Sequence, residues 1–160
     1  MSSSTLHRRT TIAGLLGLAG CGFVPVYGQN DLRGRFSFAA DDTIIGFQLR
    51  DRLAQRLGQP DSPQFAINVT IATSERAAAI TAEGDTARLN VIGRADWTMI
   101  ALADDSQIDG GTAEAFTSYA ATGSTVATLT TRDDALERLA IILADMIVAR
   151  VLARAAELGT

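Results

Sequence analysis

The stretch Leu89-Asn90-Val91-Ile92-Gly93-Arg94-Ala95-Asp96-Trp97-Thr98-Met99 alternates. Leu89, Val91, Ala95, Trp97 and Met99 are apolar, and Asn90, Arg94, Asp96 and Thr98 are polar. A period of two over this length predicts a strand with one face on a core and the other in water. Just upstream, Phe65, Ile67, Val69 and Ile71 alternate with Ala66, Asn68, Thr70 and Ala72 in the same way. Both apolar sets fall on odd numbers. Directly opposed residues share a face, so a hairpin joining the two strands needs an odd loop or a bulge. Glu83-Gly84-Asp85 is the expected tip.

Upstream of this pair, Asp41-Asp42-Thr43 offers an N-cap. Ile45, Leu49, Leu53 and Leu57 then recur every fourth residue, Gly58 stands where an αL cap belongs, and Pro60 follows. A helix with both ends marked is predicted. Before it, Phe36 and Phe38 make Arg33 to Ala39 a short strand. Downstream, Asp104 to Gly111 reads as a turn. Ala113 to Ala121 reads as a fourth strand, whose facing the sequence leaves open. Gly123 to Leu129 reads as a loop. Thr131-x-x-Asp134 resembles a capping box that starts a long helix reaching about Leu158. Its apolar stripe is Leu136, Leu139, Leu143, Met146, Ile147 and Val151, and Asp134 and Arg138 can pair on its wet side. The order β-α-β-β-β-α predicts an α+β two-layer sandwich. A mostly antiparallel sheet of about four strands is covered by two helices on its odd-numbered face.

The beginning of the chain has a different character. His7-Arg8-Arg9 is a positive region and Ile12 to Leu18 an apolar core. That core is much shorter than the roughly 20 residues a spanning helix needs. Leu18-Ala19-Gly20-Cys21 then matches the site cut by lipoprotein signal peptidase, and Cys21 is the only cysteine. The expected organisation is a signal peptide at 1–20, a lipidated tether at 21–32 and one domain at 33–160. Cys21 would carry a covalent diacylglycerol and an N-acyl chain, and no other cofactor is expected. Arg8-Arg9 also fits twin-arginine export, although its flanking residues fit poorly and ordinary Sec export is expected.

Composition narrows the chemistry. The chain carries a net charge of −4, and two of its fourteen basic residues lie in the signal. All eighteen acidic residues lie beyond it, so the remainder is still more acidic. Nucleic acid is therefore a poor partner. The only histidine, His7, also lies in the signal. Without it the mature chain has no Ser-His-Asp triad, no histidine base and no His/Cys metal site, and no enzyme is expected. Asp41-Asp42, Asp104-Asp105 and Asp133-Asp134 stand at helix starts or turns, where aspartate caps backbone amides. Trp97 reads as a core anchor, and Tyr119 has no partner legible in the sequence.

Arg76, Arg88 and Arg94 all fall on even numbers, the face away from the helices. Arg88 and Arg94 lie about 20 Å apart on one strand at roughly 3.3 Å per residue. Guanidinium groups hold phosphate through paired hydrogen bonds, so these three are candidates for a phosphorylated ligand. An ordinary solvated face fits them too, because Glu75, Glu83, Asp85 and Asp96 are near.

One further stretch is more specific. Cys21-Gly22-Phe23-x-Pro25-x-Tyr27-Gly28 resembles the start of mature LptE-type lipopolysaccharide-assembly lipoproteins. The Ser118-Tyr119 strand and the Asp133 to Arg150 helix resemble the alphaproteobacterial branch of that family. The resemblance implies a small sheet on two helices, seated as a plug inside the LptD outer-membrane β-barrel. It also implies a role in assembling that barrel and in binding lipopolysaccharide (LPS) on its way to the surface. By region, Arg76, Arg88 and Arg94 match the family's basic LPS contacts, and Phe23, Pro25 and Tyr27 are tether or partner contacts. The chain would be lipid-anchored at the outer membrane, facing the periplasm and the inside of the barrel. A lipoprotein adaptor of another envelope lipid-transport machine is the alternative.

Overall fold

Residues 32–80, 86–121 and 125–157 are described by the computed structural model. Among them are four strands and two helices: β1 (Phe36–Ala40), α1 (Ile44–Leu57), β2 (Phe65–Ile80), β3 (Thr86–Ala101), β4 (Gln107–Ala120) and α2 (Thr125–Glu157). The sheet order is β1-β2-β3-β4. The β2–β3 and β3–β4 pairs are antiparallel, as expected, and β1 runs parallel to β2. The sheet is thus mixed. Helix α1 carries the chain back between β1 and β2, the kind of connection that parallel neighbours require.

The central hairpin has the predicted register. Ile67 faces Met99, Val69 faces Trp97 and Ile71 faces Ala95, odd against odd. Ile80 pairs with Thr86, so an odd number of residues separates the strands, and the register shifts on either side of Ala79. The expected tip, Glu83-Gly84-Asp85, lies outside the described residues. Strand β2 runs well past Ala72, where its alternation stops. Residues 72–79 are all exposed, so no apolar pattern is needed there.

Thr43 provides the α1 cap, its Oγ1 accepting the Gly46 N–H at 3.1 Å. Asp41 does something else. Its carboxylate accepts the Ile71 N–H at 2.7 Å, extending the β1–β2 ladder by one rung. Gly58 ends α1 with φ +93° and ψ 155°, which is not the αL cap expected but an extended left-handed conformation open mainly to glycine. The chain turns sharply here because Gly34 N–H donates to Leu57 O at 3.1 Å and packs against Gly58.

Two boundaries differ from expectation. Strand β4 begins at Gln107, because the turn is confined to residues 102–106. There the Asp104 carboxylate accepts the Ser106 N–H at 3.1 Å and its hydroxyl at 2.7 Å, while Asp105 takes φ +56°. Gly110-Gly111 had the look of a turn but is strand. Helix α2 begins at Thr125, so the expected loop at 123–129 is helical from Thr125 on and Thr131 is not a cap. The Thr131 Oγ1 lies 3.0–3.1 Å from the carbonyl oxygens of Ala127, Thr128 and Ala120, which share its single donor hydrogen. A threonine inside a helix satisfies its hydroxyl in this way, which hides the helix start from a cap-based reading.

Both helices cover the odd-numbered face, as expected. Leu49 and Leu53 of α1, Leu139, Leu143, Ile147 and Val151 of α2, and Phe36, Ile67, Val91, Trp97 and Met99 of the sheet are buried together. Met146, expected in the stripe, is 44% exposed, and Leu136 is only half-buried. Ala135, Ala140, Ala144 and Ala155, with Val148, share the buried side of α2, so helix and sheet approach closely. At Gly93 an added Cβ would lie 2.9 Å from Leu139 Cδ2 and 3.1 Å from Leu143 Cδ1. Arg52 ties α1 to α2 through a two-bond pair with Asp145, at 3.0 and 2.8 Å.

Candidate functional site

The even-numbered face of the sheet carries no helix. Its side chains come from β2, β3 and β4 in rows fixed by register. Arg94 faces Glu114, Ile92 faces Phe116, Asn90 faces Ser118 and Arg76 faces Asn90.

The three candidate arginines are not equivalent. Arg94 is held in place, with Nε and Nη2 donating to Asp96 at 3.1 and 2.9 Å and Nη1 donating to Glu114 at 2.7 Å. Thr112 Oγ1 accepts a further bond at 3.1 Å and itself donates to Asp96. The bonds to Asp96, then those to Glu114, raise the Arg94 pKa above its ordinary value. In turn Arg94, helped by Thr112, holds the Asp96 carboxyl below the usual range. This guanidinium is already neutralised by two carboxylates. Arg76 and Arg88 are exposed and, among the described residues, have no ion-pair partner. They flank Asn90, one across the strand pair and the other two residues along β3.

Beside this pair lies a shallow depression of about 310 Å³ lined by Asn90, Ile92, Glu114, Ala115 and Phe116. Ser118 Oγ donates to Asn90 Oδ1 at 2.7 Å at its edge. Phe116 is 64% exposed although it is a large aromatic. Sequence reasoning missed Phe116 and Ile92. On β4 the odd residues that face the helices are Ala113, Ala115, Thr117 and Tyr119, too small or too polar to reveal the facing. Had the facing been fixed, Phe116 would have stood out as apolar on the wet side.

On the helix side, Tyr119 does have partners. Its hydroxyl donates to Glu75 Oε2 at 3.1 Å, and Arg132 Nε donates to Glu75 Oε1 at 2.6 Å. Burial, and then the Glu75 carboxylate, raise the Tyr119 pKa. This trio fastens β2, β4 and the first turns of α2 beneath the arginine end of the open face. Cys21, Phe23, Pro25 and Tyr27 lie outside the described residues. Among the described residues no acidic, His or Cys cluster is placed to hold a metal, and no helix is long and apolar enough to cross a membrane.

The lipopolysaccharide-assembly family model, LptE, matches residues 34–151, which is most of the chain. The chain belongs to the LptE family. This is a family of non-enzymatic lipoproteins of lipopolysaccharide assembly. Solved structures agree in fold. A protein from Caulobacter crescentus CB15 superimposes with a TM-score of 0.64 at 18% identity, over 78% of this chain and 92% of that one. Rare lipoprotein B from Shewanella oneidensis gives 0.59 at 13% identity, over 78% and 98%. An uncharacterized lipoprotein B from Nitrosomonas europaea gives 0.58 at 10% identity, over 78% and 86%. No curated protein matches the sequence.

Proposed function

We propose that this LptE-family protein is an outer-membrane lipoprotein, acylated at Cys21, that plugs and helps assemble an LptD-type β-barrel. We further propose that it contacts LPS through the hairpin end of its open sheet face. The observation that carries the LPS contact is the pairing of two unlike features. Arg76 and Arg88 are cations without carboxylate partners among the described residues, and they adjoin the apolar Ile92–Phe116 depression. LPS offers the matching combination, phosphates on an acylated sugar anchor. In a net acidic chain, phosphate would be repelled except where guanidinium groups stand free. Arg94 does not contribute, because Asp96 and Glu114 already occupy its donors.

The test compares direct LPS binding by the Arg76→Ala/Arg88→Ala double variant with binding by Arg94→Ala. The double variant should bind about tenfold more weakly or worse, the equivalent of about 1.4 kcal/mol. Exposed arginines give less than the roughly 1.5–3 kcal/mol that each charged hydrogen bond contributes in drier sites. The loss should shrink as salt rises, since exposed charges are screened beyond roughly 8–10 Å. Equal binding by wild type and the double variant would reduce these residues to a solvated face.

A further inference from the structure

We infer that the outer edge of β4, over Thr112, Glu114 and Phe116, accepts an extended segment of a partner protein as a fifth strand. Three contacts reveal which backbone groups of β4 point outward. Asp109 Oδ1 accepts the Gly110 N–H at 2.9 Å. Arg138 donates to Ser118 O at 3.3 Å, and Thr131 Oγ1 donates to Ala120 O at 3.1 Å. All three are even-numbered positions. Backbone direction alternates along a strand, so Thr112, Glu114 and Phe116 also aim their N–H and C=O groups away from β3. Among the described residues nothing bonds to these groups. Both ends of the edge are thus closed by side chains, and its middle is left open.

Strand edges in soluble domains are usually protected by Lys, Pro, bulges or short length. Strand β1 is only five residues long, and the far part of β2 is broken by register shifts around Ala79. The open segment of β4 has no Lys, Pro or bulge, and its one charged side chain, Glu114, is bonded to Arg94 of β3. It is also flanked by apolar surface on both faces. On one side lies Phe116 beside Ile92. On the other lies a depression of about 340 Å³ lined by Trp97, Gly110, Gly111, Ala113, Met146 and Arg150, among others. Gly111 matters there. A Cβ on it would stand 3.7 Å from the Trp97 indole nitrogen, so its absence opens the ring edge to the groove. An added strand would place alternate side chains on Phe116 and on Met146 and Trp97, as strand addition requires.

The occupant is an extended segment of the barrel partner with apolar residues at alternate positions and a basic residue opposite Glu114. This deepens the barrel assignment above and rests on it. A second copy of this chain fits poorly. Antiparallel pairing that aligns the two open segments fully would set Glu114 against Glu114, and like charges directly opposed destabilise a strand pair.

The experiment uses the full lipidated chain, alone and coproduced with the LptD-type barrel of the same genome, with amide hydrogen exchange read residue by residue. In the free protein the Thr112, Glu114 and Phe116 amides should exchange fast, while Ala113 and Ala115, bonded to β3, stay slow. In the complex the three even amides should slow by about tenfold or more. Thr112→Pro removes an outward N–H without breaking a backbone bond to β3. Thr112→Ala loses the same Oγ1 bonds to Arg94 and Asp96 but keeps that N–H, so Thr112→Pro should recover less barrel than Thr112→Ala does. A complex in which the three amides still exchange fast, or a folded Thr112→Pro variant that recovers as much barrel as Thr112→Ala, overturns the edge and leaves the barrel assignment standing. Failure of the wild-type chain to recover any barrel removes both.

Discussion

Replacing Leu143 by Ala tests the packing that holds the open face in place. Leu143 is fully buried on the middle of α2, and it meets the sheet at Gly93, where there is no side chain between helix and strand backbone. The substitution deletes three carbons, worth about 2.4 kcal/mol of transfer free energy at roughly 0.8 kcal/mol per buried carbon. A cavity term adds to this, because neither a strand backbone nor the short side chains of Ala140 and Ala144 can move into the space. The expected total is about 3–5 kcal/mol, a large share of the roughly 5–15 kcal/mol that holds a typical domain together. Trp97 is the only tryptophan and is 5% exposed, so its fluorescence reports the transition in urea. A Cys21→Ser background keeps lipid out of the measurement. The reference is Met146→Ala, one turn away and 44% exposed, which should cost less than about 1 kcal/mol. Equal midpoints for Leu143→Ala and wild type, or a larger loss from Met146→Ala, would refute the stripe drawn for α2.

Gly93→Ala should destabilise the domain by about 1–3 kcal/mol through overpacking against Leu139 and Leu143, and the cost should shrink in a Leu139→Ala background when both are measured by urea denaturation. Asp145 is held below the ordinary carboxylate range, first by its hydrogen bonds from Arg52. Its contribution is therefore present above the unfolded value of about 3.9 and is lost as pH falls through the lower folded value. Asp145→Asn should be less stable than wild type near neutrality and converge with it in acid, as followed by thermal melts across pH; a constant gap down to the acid limit would refute the linkage.

The fold was largely legible because each strong pattern matched the layer it builds. Leu89 to Met99 and Phe65 to Ile71 alternate because one face meets the helices and the other meets solvent, and Thr43 and Gly58 mark α1 because both of its ends need special backbone chemistry. The hidden features share a physical cause. Thr130 and Thr131 satisfy their hydroxyls on carbonyls of the preceding turn, so the capping box expected at Thr131 lies inside α2 and not at its start. Gly110-Gly111 is strand because it pairs with Thr98 and Trp97 of β3, and a Cβ at Gly110 would stand 2.9 Å from Trp97 O, reasons that depend on the neighbouring strand. The candidate site was visible only as a parity of arginines. That Arg94 is neutralised while Arg76 and Arg88 have no carboxylate partner among the described residues follows from register, which brings Glu114 of β4 beside Arg94.

The most direct test of the central claim is intact and native mass spectrometry of what copurifies with this chain from detergent-solubilised outer membrane. The account predicts a polypeptide beginning at Cys21, heavier by a diacylglycerol and an N-acyl chain, bound to one large β-barrel protein and carrying LPS. Recovery of the chain alone from the soluble periplasm, with an unmodified Cys21, would contradict it.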